Sequence, residues 1–371
     1  MIVLRNETKT IRKVISDHSS CGGKMRWYGG QFGSGSICVN SGIMGIEDDL
    51  LSILAGQAVP VAASIDVKPE SSQEEKFIPM TKTNMCYICG AVIFDESGKV
   101  LMIQEAKKSS RGEWYLPIGR LERNETILTG ALREVKEEAG IDCEFTTLLS
   151  VEMQGNTWMR FVFFGTIKEG RKLKSLEEQD SESLQAKMFT LDELQQSRHI
   201  IRAPDIFKLI DAAKKYWQTE SMSRRPSCFP VVSPHMKLLH RVVIIDRISS
   251  KHQSISVLVN TSDEDHIPLT LLNFGRHGHL ATSVYGILKA ALGSNLDAST
   301  NSVRMCGILG VEHKGTGELE DGVCLTSLVS LDLATQTPVA LAQYVWRPLE
   351  NKDLVLKMEA AAKGKLVPFL S

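Results

Sequence analysis

Apolar positions along the chain repeat with two periods, one near 3.6 and one of two, and the switch between them marks the elements. Ile46, Leu50, Ile53 and Leu54 recur at helical spacing, predicting a short amphipathic helix over 46–56. Residues 64–83 are polar, carry Pro69 and Pro79, and read as a connection. An apolar strand is predicted over 85–94, a turn over 95–98, a second strand over 99–104, and a short strand or loop over 114–117. The period then lengthens. Ile127, Ala131, Leu132 and Val135 form one stripe and Gly140 stands where a helix C-terminus places glycine, predicting a helix over 126–139. Strands over 145–152 and 158–167 and helices over 191–197 and 203–217 follow. Residues 218–236 are again linker-like, with Arg224, Arg225, Pro226, Pro230 and Pro234, and a further ordered segment runs from about 238 to the end. Alternating strands and helices make this an α/β chain.

A length of 371 residues suits two domains with additional segments. The expected division is a flexible N-terminal tail (1–45), a short helix and linker (46–80), a first domain (81–217), a linker (218–237) and a second domain (238–371). The tail is rich in glycine around Trp27 and Tyr28, but no strand, helix or lysine follows in the manner of a phosphate loop. Forty-three basic residues nearly cancel 44 acidic ones, so long nucleic acid is not an expected partner. The longest apolar candidate, 50–63, is broken by Ser52, Gly56, Gln57 and Pro60, and no membrane partner is expected. Residues 1–20 lack the apolar core of a secretory signal, so a cytoplasmic location is expected. The eight cysteines are scattered; Cys86 and Cys89 are the one close pair, and on a strand they point to opposite faces. Buried, reduced thiols are expected rather than a zinc or redox centre.

Chemistry concentrates in residues 119–141, GRLERNETILTGALREVKEEAGI. Glu134, Glu137 and Glu138 stand at i, i+3 and i+4 and share a helical face. Carboxylates so close repel unless a cation sits among them, and hard oxygen donors suit Mg²⁺ or Mn²⁺. Arg133 is expected to pair with Glu125 or Glu137 and orient them, a task suited to a planar, permanently charged guanidinium. Gly119 is expected to permit a tight backbone turn.

The spacing of glycine, five residues, glutamate, seven residues, then R-E-U-x-E-E-x-G-U, with U a bulky aliphatic residue, resembles the box of the Nudix hydrolase family. That resemblance implies an α/β/α sandwich around a mixed sheet over about 81–215. It implies Glu134 and Glu138 as metal ligands, Glu137 as ligand or general base, Arg133 and Glu125 as catalytic support, and the Gly119 carbonyl facing the metal. A further acidic ligand from a later loop is expected at Glu182, with Glu152 the weaker alternative. Residues 85–127, 148–167 and 180–186 resemble the eukaryotic 8-oxo-dGDP phosphatase type, as do 50–57 and 305–371. This implies hydrolysis of oxidised purine nucleoside diphosphates to monophosphate and phosphate. The alternatives are a nucleoside triphosphate or dinucleotide pyrophosphatase of the same class, and a nucleotide-binding sensor or scaffold without turnover. Ile118 departs from the small residue usual before the box glycine. Tyr115, Phe161, Phe163 and Met188 are candidates for the base pocket, their flat or polarisable surfaces suiting a purine.

The C-terminal half repeats the first half weakly. Residues 266–293 lie over 113–140 when Gly293 is set on Gly140. Gly286 then replaces Arg133, and Ile287, Ala290 and Ala291 replace Glu134, Glu137 and Glu138. A degenerate, Nudix-like second domain without metal ligands is expected, with its helix over 279–292, making a protein or intramolecular contact instead. His266, His277, His279 and His313 form no tight ligand pair and are expected to be ordinary loop histidines.

Overall fold

A computed structural model describes residues 45–370, apart from 63–64, 68–75, 154–157, 168–169, 221–223, 248–253, 263, 273–279, 294–302, 316–319, 332–339, 342 and 365. The expected N-terminal tail, His277 and His279 lie outside the described residues. Among the described residues no helix is long and apolar enough to cross a membrane.

The first domain is built on strands β1 (Cys86–Phe94), β2 (Val100–Glu105), β3 (Trp114–Tyr115), β4 (Ile118–Arg120), β5 (Glu144–Met153), β6 (Trp158–Thr166) and β7 (Ser183–Phe189). Its central strands run β5-β6-β1-β2-β3, with β4 paired to β1 and β7 to β2. β1 and β6 are parallel and the other pairs named are antiparallel, so the sheet is mixed. Helix α2 (Ile127–Ala139) packs Ile127, Ala131, Val135 and Ala139 onto the sheet. Thr126 closes its N-terminus with a capping box, and Gly140 at φ +76° ends it in a left-handed cap. Short α3 (Leu191–Gln196) follows β7, and α4 (Ile206–Gln218) buries Leu209, Ile210 and Ala213 in the same core. The element positions follow the sequence pattern closely.

The second domain has β8 (Leu239–Arg247), β9 (Ile255–Asn260), β10 (Leu269–Leu271), α5 (Leu280–Leu292), β11 (Val303–His313), β12 (Val323–Leu331), β13 (Tyr344–Pro348) and α6 (Lys352–Ala362). Its sheet runs β11-β12-β8-β9-β13, with β10 paired to β8. Strand for strand this repeats β5-β6-β1-β2-β7 with β4 on β1. The parallel pair recurs between β12 and β8. The hairpin β5–β6 has two register shifts, at 145/147 and 148/150; β11–β12 has two at 305/307 and 308/310. Helices α2 and α5 are each 13 residues long, and each ends at a glycine with positive φ, Gly140 and Gly293. The expected duplication is therefore present in the topology. The sheet register corrects one detail of the sequence overlay. Gly119 pairs with Cys89, and Thr270 pairs with His240, at equivalent places beside Ile118–Gly90 and Leu269–Arg241. Thr270, not Leu272, is the counterpart of Gly119, because the connection from β10 to α5 is longer than that from β4 to α2.

Segments read as linkers are woven into these sheets. Helix α1 (Ile46–Leu54) buries Ile46, Leu50 and Ile53 among second-domain residues including Leu354 and Met358. Val231 exchanges backbone hydrogen bonds with the β11 edge, receiving one from the His313 amide at 2.9 Å and donating to Val311 at 2.8 Å. A final strand, β14 (Phe369–Leu370), pairs in parallel with β5 and so extends the first sheet. Ile308, Val311, Val323 and Leu325 belong to one core cluster with the first domain's sheet.

Candidate active site

Helix α2 carries the acidic face. Its i, i+4 periodicity turns Glu134 and Glu138 inward, where they are 6% and 1% exposed, and leaves Glu137 at the rim. Burial raises the Glu134 carboxyl to about 7, with Glu137 adding to the rise and Arg133 opposing it. Burial also pushes Glu138 well above the usual carboxylate range, reinforced by Glu134, Glu105 and Glu182. Glu182, the loop acid expected from sequence, is thus brought to the cluster, where it pairs loosely with Lys107 at 3.6 Å.

Arg133 organises the rim as expected. Its Nε and Nη2 donate to the two oxygens of Glu125 at 2.6 and 2.9 Å, and its Nη1 donates to Glu134 and Glu137, both at 2.9 Å. Glu125 in turn accepts from the Glu122 amide at 3.0 Å. Gly119 serves for a different reason from the one expected. It has no positive φ; it sits in β4, and a Cβ there would overlap the Glu134 carboxylate. Ile118 fits because it packs over Gly90, whose missing side chain leaves the room.

Sequence reasoning missed Glu105. It ends β2, is 2% exposed, and pairs with Arg202 at 2.5 Å. One oxygen of Glu105 and one of Glu138 have no hydrogen-bond partner. Buried oxygens left so are costly, and a bound cation would satisfy both and offset the burial and the mutual repulsion that raise the Glu134 and Glu138 carboxyls. As they stand, no three acidic, histidine or cysteine side chains among the described residues converge into a ready ligand cage. Glu134 and Glu137 are instead held by Arg133, so loading an ion requires them to turn from it. With that rearrangement, the donor set of carboxylate oxygens fits a hard divalent cation.

The carboxylates open into a cleft of about 1370 Å³, lined also by Lys107, Tyr115, Trp158, Arg160, Arg202 and Asp205. Of the four base-pocket candidates, Tyr115 alone lines it. Its hydroxyl donates to Asp205 at 3.0 Å and accepts from Arg160 at 3.1 Å, and the Arg202 guanidinium lies 4.9 Å over its ring. Phe161 and Phe163 point to the other face of β6 and are fully buried; Phe163 stacks on Phe145 at 4.9 Å. Met188 lies on β7 opposite Leu101, packed against the core. These three are therefore placed as core residues. Trp158 and Arg160, on the alternate positions of β6, face the cleft, with the guanidinium 5.4 Å from the indole centre. Glu152, the weaker ligand alternative, is bound to Arg160 at 2.6 Å and belongs to this polar group rather than to the carboxylate cluster. Cys86 also lines the cleft while Cys89 is buried beneath α2 beside Gly130, so the pair does face opposite ways.

A family model described as the NUDIX domain matches residues 87–210. The chain is 36% identical to an 8-oxo-dGDP phosphatase NUDT18 of Danio rerio over 343 residues, covering 88% of this chain and 98% of that protein. It is 37% identical to 8-oxo-dGDP phosphatase NUDT18 of Homo sapiens, over 77% of this chain and 84% of that one. Among solved structures, a NUDIX hydrolase from Nitrosomonas europaea aligns at 24% identity and a TM-score of 0.31, over 35% of this chain and 89% of the other.

Proposed function

Because this chain belongs to the Nudix hydrolase family, we propose that it hydrolyses the phosphoanhydride of oxidised purine nucleoside diphosphates such as 8-oxo-dGDP. The products are the nucleoside monophosphate and phosphate. The observation that carries this reading is the buried carboxylate cluster on α2, opening into a cleft large enough for a nucleotide.

Glu134, Glu138, Glu182 and Glu105 would hold Mg²⁺ or Mn²⁺, with Glu137 at the rim. The ion supplies charge neutralisation at the phosphoryl oxygens and acidifies water. The protein's own groups do the rest. Arg133 holds Glu134 and Glu137 to one guanidinium plane beside the buried Glu138, which keeps the carboxylates close to the place an ion would take. Lys107, half exposed at the cleft, offers a cation to the phosphate chain. Trp158 offers a flat face for a base. Asp205 keeps 37% of its side chain exposed, and its carboxylate can accept from the N–H groups along a guanine edge. Arg160 and Tyr115 hold that carboxylate in place.

The test is a panel of purified nucleoside di- and triphosphates, oxidised and normal, with products resolved. Monophosphate plus orthophosphate from diphosphates supports the reading. Preference for triphosphates with release of pyrophosphate overturns it in favour of a triphosphate pyrophosphatase.

A further inference from the structure

Just after β11 of the second domain, Gly315 reaches the loop between β4 and α2, residues 121–126, which carries Glu125 and is the catalytic loop of the first domain. Gly315, buried and at φ +72°, lies so close to Glu125 that a Cβ there would overlap the Glu125 carbonyl oxygen. Glu125 is the residue whose carboxylate accepts two of the Arg133 donors. The same guanidinium holds Glu134 and Glu137. Asn124, which precedes Glu125, turns this loop through the left-handed region at φ +66°, a conformation that asparagine adopts more readily than most residues. Gly315 packs against the loop from outside.

Asp321, just before β12, makes a second connection. Its carboxylate accepts from the Thr81 amide and meets His313 Nε2 at 3.0 Å, and its carbonyl accepts from the Tyr87 hydroxyl at 2.7 Å. The His313 ring meets the Tyr87 ring at 5.1 Å. Thr81, Lys82, Thr83, Asn84 and Tyr87 form one wall of the cleft, and Lys82 ties that wall to Glu122 of the catalytic loop. Asp321 and His313 are 3% and 1% exposed.

We propose that the second domain is a working part of the active site: Gly315, just after β11, positions the catalytic loop, and Asp321, just before β12, positions the cleft wall. This rests on the hydrolase reading above. Gly315 and Asp321 are positioning residues, acting through Glu125–Arg133 and through Thr81–Tyr87.

The experiment uses the full chain, with dGDP and 8-oxo-dGDP as substrates. In Gly315→Ala the catalytic loop must shift, and displacement on the scale of 1 Å lowers kcat about tenfold or more, with KM within about threefold. Gly364→Ala is the control. Gly364 has φ +90° and open space around its Cβ position, so the substitution carries similar backbone strain and should keep wild-type kcat. If Gly315 acts through Arg133, its effect on kcat in an Arg133→Lys background should largely vanish; a merely structural loss would be additive. Asp321→Asn should raise KM about fivefold or more with kcat nearly kept, since the cleft wall rather than the loop is disturbed. Additivity with Arg133→Lys, or unchanged kcat in a folded Gly315→Ala, overturns the proposal. Should Gly315→Ala not fold, Asp321→Asn decides, and an unchanged KM overturns it. A wild-type chain that turns over neither nucleotide overturns the hydrolase reading and this inference with it.

Discussion

Helices α2 and α5 occupy equivalent places in two sheets of one topology, and they bury equivalent positions. Glu134 and Glu138 are buried in the first; Ile287 and Ala291 are buried in the second, while Glu137 and Ala290 both face outward. The fold is therefore indifferent to charge at these positions, but the energetics are not. In α2 two carboxylates are held where burial disfavours their ionised form, with one oxygen unpartnered. In α5 the same places are filled by side chains that want to be there. The second sheet keeps a buried ion pair of its own. Arg241 stands where the first sheet has Gly90, and it donates to Glu312 at 2.6 Å, with His235 at 3.0 Å from the same carboxylate. Glu312 is the counterpart of Glu152 by strand register. One copy keeps local strain for chemistry; the other has relaxed into packing and contact with its twin.

The largest effect that tests this contrast is Glu138→Gln. It keeps the shape and removes the charge, so turnover should fall by about two orders of magnitude or more. If the charge is a burden to the fold, the same variant should unfold at a higher temperature than wild type in metal-free buffer, by the order of 1–3 kcal/mol of relieved desolvation. Turnover near wild type in excess Mg²⁺, or a lower melting temperature, breaks the contrast at its first term.

Placing the lost charge back into the second copy should hurt. Ile287 is fully buried beside Val242, Ile244 and Leu258. Ile287→Glu would put a carboxyl there without the Arg133 that α2 provides, since Gly286 stands in that position. The expected loss is about 3 kcal/mol or more in denaturant unfolding, against about 1 kcal/mol for Ile287→Val. An Ile287→Glu protein as stable as wild type would mean that the second core tolerates charge as the first does.

A third test uses acid. His240, the fully buried counterpart of Cys89 on β8, has its pKa lowered to about 3 by burial alone. The folded state thus binds its proton far less readily than the unfolded chain, whose histidine titrates near 6.5. This group's contribution is constant above pH 6.5, and stability is lost as pH falls from there toward 3. At pH 5 the loss is about 2 kcal/mol. Glu312 adds to the acid sensitivity. Burial pushes its carboxyl up, but His235 and Arg241 together outweigh that and hold it below its usual value, so its contribution is lost as pH falls through the folded value. Unfolding followed between pH 7 and pH 4 should show this slope, and His240→Gln should flatten it. A slope unchanged by that substitution would remove His240 from the account.

The sequence pattern located α2, its glycine cap and its acidic face because these depend on residues within a few turns of one another. The register of α5 was legible for the same reason. What remained hidden depends on distant pairing. Glu105 ends an apolar strand, and its partner Arg202 is remote in sequence. β6 alternates Trp158 and Arg160 with Phe161 and Phe163, and the pattern alone does not say which face opens to the cleft. The more apolar face went to the core. The bracing of the catalytic loop by Gly315 joins residues 125 and 315, and β14 joins the chain's last strand to β5. No local period reports either contact.

The smallest expected effect is Ala290→Glu, which restores a carboxylate at the counterpart of Glu137. Ala290 is exposed on α5, and glutamate has good helix propensity, so stability should change by no more than about 0.5 kcal/mol. No metal affinity should appear. The neighbouring positions remain Ile287 and Ala291, which have no oxygens to share an ion, and a lone exposed carboxylate does not hold Mg²⁺ against water. Titration of the full-length Ala290→Glu, Glu138→Gln protein with Mn²⁺, compared with Glu138→Gln alone, isolates the second domain from the first. Equal binding curves confirm that buried positions, not the helix as such, separate a catalytic copy from a silent one. New Mn²⁺ binding, or a loss of stability matching that of Ile287→Glu, would show that the outward face of α5 is not the free surface its exposure indicates.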